Sequence, residues 1–408
     1  MTKLDTLIQE LCPDGVEYKE LKSVFEMRNG YTPSKAKAEF WEGGTIPWFR
    51  MEDIRENGNI LSDSAQHITP AAVKGKLFPA NSIIVATSAT IGEHALITVE
   101  SLANQRFTYL VRRPEYEEKL DPKFVYYYCY KLDEWCLNNT NISSFPSVDM
   151  AKFAKFKIPI PPLPVQREIV RILDNFTELT AELTAELTAE LTARKKQYEY
   201  YRDTLLTFGV HRRGTFETKW RTLAEIADIG TGSSNTNEAV EDGKYPFFVR
   251  SQEPLRKNDY EYDETAIITA GDGVGVGKVY HYVEGKYALH QRAYRIHIVA
   301  PDVLPRFFFY YMKAKFLPYI QKNVFQGSVS SIRRPMLNAF PVPVPDVELQ
   351  ERIVNVLDNF DAICSDLNIG LPAEIEARKK QYEYYRDMLL TFAAADDIIL
   401  TDRQTEPN

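Results

Sequence analysis

ARKKQYEYYRDTLLTF, residues 193–208, recurs as ARKKQYEYYRDMLLTF at residues 377–392. Fifteen of the sixteen positions match; only Thr204 and Met388 differ. The offset of 184 residues is close to half of the 408-residue chain. A repeat this faithful describes a protein assembled from two equivalent halves. Two equivalent halves suit a ligand with two similar parts, and duplex DNA is the foremost such ligand. The competing reading is a duplication that serves packing alone.

The repeat extends upstream. Gln166-Arg167-Glu168-Ile169-Val170 is answered by Gln350-Glu351-Arg352-Ile353-Val354, and Leu173-Asp174-Asn175-Phe176 returns unchanged as Leu357-Asp358-Asn359-Phe360. Before each block lies a proline-rich strip, KIPIPPLPVQ (157–166) and FPVPVPDVELQ (340–350). Proline blocks helix and favours extended chain, so each strip is a junction feeding a helix. The first helix is predicted from about Gln166 to Phe208. Ile169, Leu173, Phe176, Leu179, Leu183, Leu187 and Leu191 recur there at spacings of three and four. Its centre repeats TAEL at 180–183, 184–187 and 188–191, and Ala, Glu and Leu are strong helix formers. The second helix is predicted from near Gln350 to near Phe392, broken or kinked at Gly370-Leu371-Pro372. Each helix has one apolar stripe and no other cover, so the two are expected to pair as an antiparallel coiled coil.

The flanking segments are mixed and diverged. Pro47-Trp48-Phe49 answers Pro246-Phe247-Phe248, and Ser82-Ile83-Ile84-Val85 answers Thr265-Ala266-Ile267-Ile268 as a buried strand. Gln105-Arg106 answers Gln291-Arg292, and Pro122-Lys123-Phe124 answers Pro305-Arg306-Phe307, each opening an aromatic core helix. Asp5-Thr6-Leu7 also echoes Asp203-Thr204-Leu205, which suggests a pseudo-cyclic chain with its two ends close together. The expected fold is α/β of mixed α+β type: globular domains at 1–156 and 212–340, spacer helices at 157–211 and 341–395, and a tail at 396–408.

Bulk properties narrow the function. No run approaches the ~18 apolar residues of a membrane span, and the N-terminus lacks signal-peptide blocks. Cys12, Cys129, Cys136 and Cys364 form no CxxC pair and read as reduced cytosolic thiols. A net charge of −8 argues against a chain that grips DNA unaided, so basic faces must be local or come from a partner. No catalytic constellation is present. Pro161-Pro162 lacks the Asp or Asn and the aromatic of an amino-methyltransferase motif. DGVGVGKV (272–279) has Asp272 and Val279 where a phosphate loop needs Gly and Ser/Thr, so it reads as a glycine-rich turn after a strand. The six histidines show no metal spacing, and His281 and His290 read as ordinary strand residues. No cofactor or metal is expected.

The candidate DNA-facing residues lie in polar loops on this scaffold. In the first domain they are Tyr31, Ser34, Lys35, Ser88, Thr90, Gln105, Arg106, Ser144 and Ser147. In the second they are Ser233, Lys278, Gln291, Arg292, Ser328, Ser330, Arg333 and Arg334. Gln suits adenine and Arg suits guanine through bidentate bonds, although a Gln-Arg pair in both halves also fits a structural hydrogen bond. Arg212-Arg213 suit phosphate. The RKKQYEYYR blocks supply candidate partner contacts: Arg194, Lys195, Tyr198, Tyr201, Arg378, Lys379, Tyr382 and Tyr385.

The IPIPPLPVQREIVRILDNF block (158–176) with its echo at 340–360, Ile46-Pro47-Trp48 and the TAEL tract together resemble the DNA-specificity subunit of type I restriction–modification enzymes. The resemblance covers essentially the whole chain. It implies two target-recognition domains, each reading one half of a split, asymmetric site in double-stranded DNA. It also implies helices that recruit two methyltransferase subunits, with restriction subunits joining in the full complex. S-adenosylmethionine and ATP then belong to those partners. The rival reading is a coiled-coil scaffold whose domains bind proteins; a self-contained methyltransferase or nuclease is disfavoured by the missing motifs. The TAEL tract is expected to act as a ruler. Four residues add about 6 Å and a net rotation of about 40°. One base pair adds about 3.4 Å and about 35°.

Overall fold

Isoleucines alternate faces along the strand Ser82–Ala86, and that alternation organises the first half of the chain. Ile83 and Val85 join a core with Phe124, Leu132, Ile169 and Leu173, whereas Ile84 and Ala86 join another with Trp48, Phe49 and Tyr109. The computed structural model describes residues 2–141, 146–208, 218–323, 331–365 and 370–394. It divides into two compact units, Met1–Thr184 with Ala377–Asn408, and Ala185–Glu376.

In the first unit a five-stranded sheet runs in the order Phe25–Asn29, Phe107–Arg112, Ser82–Ala86, His94–Ile97 and Ile60–Leu61. The first three pairings are antiparallel and the last is parallel. A smaller sheet pairs Ile46–Phe49 in parallel with Leu102–Ala103. In the second unit the six-stranded order is Ala227–Thr231, Ala293–Ile298, Tyr262–Ala270, Tyr280–Leu289, Tyr245–Phe248 and Leu255–Lys257. Tyr280–Leu289 is one continuous strand there; its counterpart in the first unit is split into His94–Ile97 and Leu102–Ala103. The aromatic runs form the core helices Pro122–Asn138 and Pro305–Asn323. Pro122 sits in the first turn, behind the Asp121 carboxylate that accepts the Lys123 amide at 2.8 Å.

The proline strips are extended. Lys157–Pro159 pairs antiparallel with Tyr18–Glu20, and Pro341–Val344 with Lys219–Thr222. Both are two-stranded ribbons, where proline's missing donor faces outward. Helix Leu163–Leu205 follows the first strip and Val347–Ser365 the second. The long helix starts a turn earlier than its apolar stripe indicated, because Pro164 fits a helix's first turn. A further helix, Leu371–Leu389, begins with Pro372 at its second position, so the predicted interruption is a helix start. Residues 366–369 lie outside the described residues.

Within the first unit, Phe176 stacks on Tyr385 at 6.0 Å and the Thr177 hydroxyl meets the Tyr382 hydroxyl at 2.9 Å. Within the second, Tyr198 and Tyr201 pack on Phe360 at 6.4 and 5.7 Å. The start of the chain meets the last described residues: the Val16 amide donates to the Ala393 carbonyl at 3.0 Å and Tyr18 to that of Phe392 at 3.1 Å.

Buried glutamines tie each globular domain to its helix. Gln166 donates to the carbonyls of Lys119 (2.8 Å) and Pro161 (2.6 Å) and accepts from the Asp121 amide (2.8 Å). Gln350 repeats the pattern with Asp302 (2.8 Å), Pro345 (2.8 Å) and the Leu304 amide (2.9 Å). About two turns further on, Asp174 accepts from Lys123 (2.7 Å) and Tyr127 (2.8 Å). Asp358 accepts from Arg306 (2.8 Å) and from Tyr310.

Candidate nucleic-acid interface

Each unit gathers three loops at one end of its sheet, on a common backbone plan. In the first unit the Asn104 amide donates to the Phe49 carbonyl at 3.0 Å, and the Asn104 side chain accepts from the Arg106 amide at 2.9 Å. In the second, the His290 amide donates to the Phe248 carbonyl at 2.9 Å and His290 Nδ1 accepts from the Arg292 amide at 3.0 Å. Asn and His thus cap the same turn and project Gln105-Arg106 and Gln291-Arg292 outward, all four exposed. Because Nδ1 accepts, the imidazole proton lies on Nε2. Burial, with Arg250 and Arg292 nearby, lowers the His290 pKa and keeps the ring neutral. His290 therefore has a role that its reading as an ordinary strand residue missed: it closes the turn just beyond Tyr280–Leu289.

The second loop leaves the central strand. The amides of Thr87 and Gly271 donate to the carbonyls of Arg106 and Arg292 at 3.0 and 2.9 Å. Ser88 then bridges to Ser147, and Asp272 to Ser331. The next residue is left-handed in both units, Ala89 at φ 64° and Gly273 at φ 80°, so the first domain places an alanine where glycine is favoured. The third loop follows the first sheet strand. Thr32 donates to the Gln105 side chain at 2.5 Å, and Gln291 donates to Asn235. Gly30 and Gly232 permit the approach: a Cβ would lie 2.1 Å from the Ala103 carbonyl oxygen and 1.8 Å from that of Leu289.

This geometry brings Ser88, Thr90, Gln105, Arg106 and Ser147 together in the first unit, with Ser34 and Lys35 exposed on the loop that carries Thr32. In the second it gathers Gln291 and Arg292 with the loop that holds Ser233, whose amide donates to Glu261 at 2.9 Å. Lys278 is exposed, its carbonyl accepting from Gln252 at 2.9 Å. Tyr31 and Arg334 are tied to backbone groups of their own fold. The Tyr31 hydroxyl donates to the Ala72 carbonyl at 3.2 Å and accepts from the Lys74 amide, and Arg334 donates to the Ile229 carbonyl. Arg333 is exposed at the start of helix Arg334–Asn338. Ser144, Ser328, Ser330 and Arg212-Arg213 lie outside the described residues. The glycine-rich turn runs from strand Tyr262–Ala270 to strand Tyr280–Leu289, without the helix a phosphate loop requires. Among the described residues no group of three metal-binding side chains occurs, and no helix is long and apolar enough to cross a membrane.

On the repeated helix segments, Tyr198 is buried, 9% exposed, and Tyr382 is half-buried against Thr177, so both face inward. The outward aromatics are Tyr200 (67% exposed) and Tyr384 (66%), with Tyr201 and Tyr385 at 40% and 38%. Within the YEYY motif, residue 200 points some 200° round the helix from 198, so one aromatic cluster supplies both faces. Arg194, Lys195, Arg378 and Lys379 are exposed; Arg194 and Arg378 bond Gln197 and Gln381, each at 3.1 Å.

The family described as "Type I restriction modification DNA specificity domain" matches this chain twice, over residues 13–193 and 217–377. The chain belongs to that family. The "Type I restriction enzyme EcoprrI specificity subunit" of Escherichia coli is 45% identical over 384 residues, covering 90% of this chain and 93% of that protein. The EcoR124I/EcoR124II specificity subunit of the same species is 34% identical over 313 residues, covering 68% and 72%. Solved folds agree. A chain from work on complex assembly and conformational transition of the type I R-M system aligns with a TM-score of 0.62, at 17% identity over 92% of this chain and 97% of its own length. The HsdS subunit from Thermoanaerobacter tengcongensis aligns at 0.54, with 15% identity over 93% and 96%. This specificity subunit is therefore the DNA-recognition and assembly component of a type I complex, and a non-catalytic one.

Proposed function

We propose that each three-loop cluster reads one half of an asymmetric, split site in double-stranded DNA, the first domain (1–156) one half and the second (212–340) the other. The carrying observation is the repeated turn with divergent surroundings: Gln105-Arg106 and Gln291-Arg292 stand on the same backbone, while Asp272 takes the place of Ser88, and Asn235 rather than a threonine partners the glutamine. Equal scaffolds with unequal side chains suit two different base sequences. The exposed repeats around Tyr200 and Tyr384 supply two copies of one surface, which suits two methyltransferase subunits, with restriction subunits completing the complex. S-adenosylmethionine and ATP are then handled by those partners, in the cytoplasm, where four buried free thiols are at home.

The test is competition binding by the complex assembled with methyltransferase subunits. Gln105→Ala or Arg106→Ala should lose discrimination in one half-site, and Gln291→Ala or Arg292→Ala in the other, by about 1–3 kcal/mol per bidentate contact. Equal weakening on every sequence would reject the assignment. The purified subunit alone should neither methylate nor cleave DNA; methyl transfer by it would contradict the division of labour.

A further inference from the structure

The two loop clusters differ at one position in a way that changes their electrostatics. Ser88 and Asp272 are equivalent by every backbone criterion: each lies two residues past the central strand and bridges to Ser147 or Ser331. Ser88 is neutral. The Asp272 carboxylate accepts from Arg250 Nη1 at 2.6 Å and meets Arg292 Nη1 at 3.3 Å. The side chains of Arg250 and Arg292 are 40% and 59% exposed, and that of Asp272 is 28% exposed. In the first domain, Arg106 has no carboxylate partner among the described residues.

We infer that Arg250 and Arg292, oriented by the carboxylate between them, both read bases in the second domain alongside Gln291, and that its half-site contains a guanine. The inference rests on the DNA-reading assignment above. Each guanidinium carries five donors in a planar fork and offers one nitrogen to Asp272, which leaves donors free to point outward. Guanine presents O6 and N7 as paired acceptors in the major groove, the match for such a fork. The carboxylate also works against the alternative use of these arginines. A phosphate brought to either one approaches an anion held 2.6–3.3 Å from the guanidinium, so the gain from phosphate is reduced, whereas a neutral base edge carries no such penalty. Asp272 is thus a positioning residue that biases two arginines from backbone clamping towards base reading. The first domain, with Ser88, leaves Arg106 available to either.

The experiment uses the complex assembled with methyltransferase subunits, its mapped target duplex, and duplexes changed one base at a time. Asp272→Ser copies the first domain's residue. Discrimination at a guanine of one half-site should fall roughly tenfold or more. Affinity for unrelated DNA should rise, and the log–log salt slope should steepen by about 1–2 as freed arginines take phosphates. The other half-site should be read as before. Arg250→Lys keeps the charge and loses the fork, so discrimination should fall with the slope unchanged. Intact discrimination in either variant, or uniform weakening on all duplexes, would overturn the inference. Should Asp272→Ser fail to fold, Arg250→Lys decides alone. A separate failure is recognisable: if the unaltered complex distinguishes no single-base variant, or variants of both domains affect one half-site, the underlying assignment falls instead.

Discussion

The ends of the long helix and its middle are built on opposite principles. At the first end Gln166, Ile169 and Leu173 are fully buried, and Gln166 and Asp174 bind the globular domain through four hydrogen bonds. From residue 174 to 197 none of the side chains is buried; Leu179 is 59% exposed, and Leu183, Leu187 and Leu191 are half-buried. Packing density decides what a segment tolerates. An end cannot change without opening a core, whereas the middle can gain or lose a turn and leave both cores intact. A rod with fixed ends and an adjustable centre is what a spacing element between two half-sites needs.

The contrast is open to attack at several points. The largest effect is expected at the ends. Leu173→Ala empties a fully buried site, and Gln166→Ala strands one buried amide and two carbonyls; each should cost about 3 kcal/mol. Hydrogen exchange in the assembled complex should show faster exchange in helix Pro122–Asn138, with Pro305–Asn323 unaffected; Gln350→Ala should reverse the pattern. Slow exchange retained in the linked helix would mean that the glutamine is no lock.

A smaller effect distinguishes the start of the long helix from the start of helix Val347–Ser365. Glu168 has a side chain 4% exposed, and hydrogen bonds from Arg171 and Lys3 hold its pKa down from 4.5 to about 2. A depressed carboxyl contributes stability above its unfolded value, lost as pH falls from about 4.5 to about 2. Glu168→Gln should cost about 1 kcal/mol at pH 7, since both cationic partners are largely exposed. The difference from the unaltered protein should close through that acid window. The matching position in the second half is Arg352, in helix Val347–Ser365, so the start of that helix should show no such window. A pH-independent cost of Glu168→Gln would mean that packing, not charge, holds this end.

The smallest change in stability is expected in the middle. Leu187→Ala removes a half-buried side chain and should cost under about 1 kcal/mol, against about 3 for Leu173→Ala. Comparable costs in thermal unfolding of the two variants would erase the distinction between end and centre.

Much of this was legible in the sequence because it rests on period and repetition. The three-and-four spacing from Ile169 to Leu191 marked the helix, the proline strips marked the ribbons, and the IIV and AII runs marked the central strands. The locks were visible as identities, Gln166 with Gln350 and Asp174 with Asp358, but their partners in the globular domains are backbone groups for the glutamines and Lys, Arg and Tyr side chains for the aspartates, 45 to 52 residues away, which no local pattern encodes. Tyr198 reads as surface in the sequence because YEYY carries three aromatics and only the helical phase separates the buried one from Tyr200. Asp272 stood in view as the residue that spoils a phosphate loop; its pairing with Arg250 and Arg292 depends on strands meeting in space. His290 and Asn104 share a role although they share no chemistry beyond a side-chain acceptor.

Deleting residues 184–187 and mapping methylated sites in cells carrying the partner genes is the most direct test of the helix as a spacer. One TAEL contributes about 6 Å and a net turn of about 40°, against about 3.4 Å and about 35° for one base pair. The rotation matches one base pair and not two, and the excess length of roughly 3 Å falls to helix tilt or DNA compliance. With the locks at Gln166 and Gln350 untouched, the same two half-sites are expected, with the gap between them one base pair shorter. An unchanged gap, or altered half-site sequences, would contradict that role.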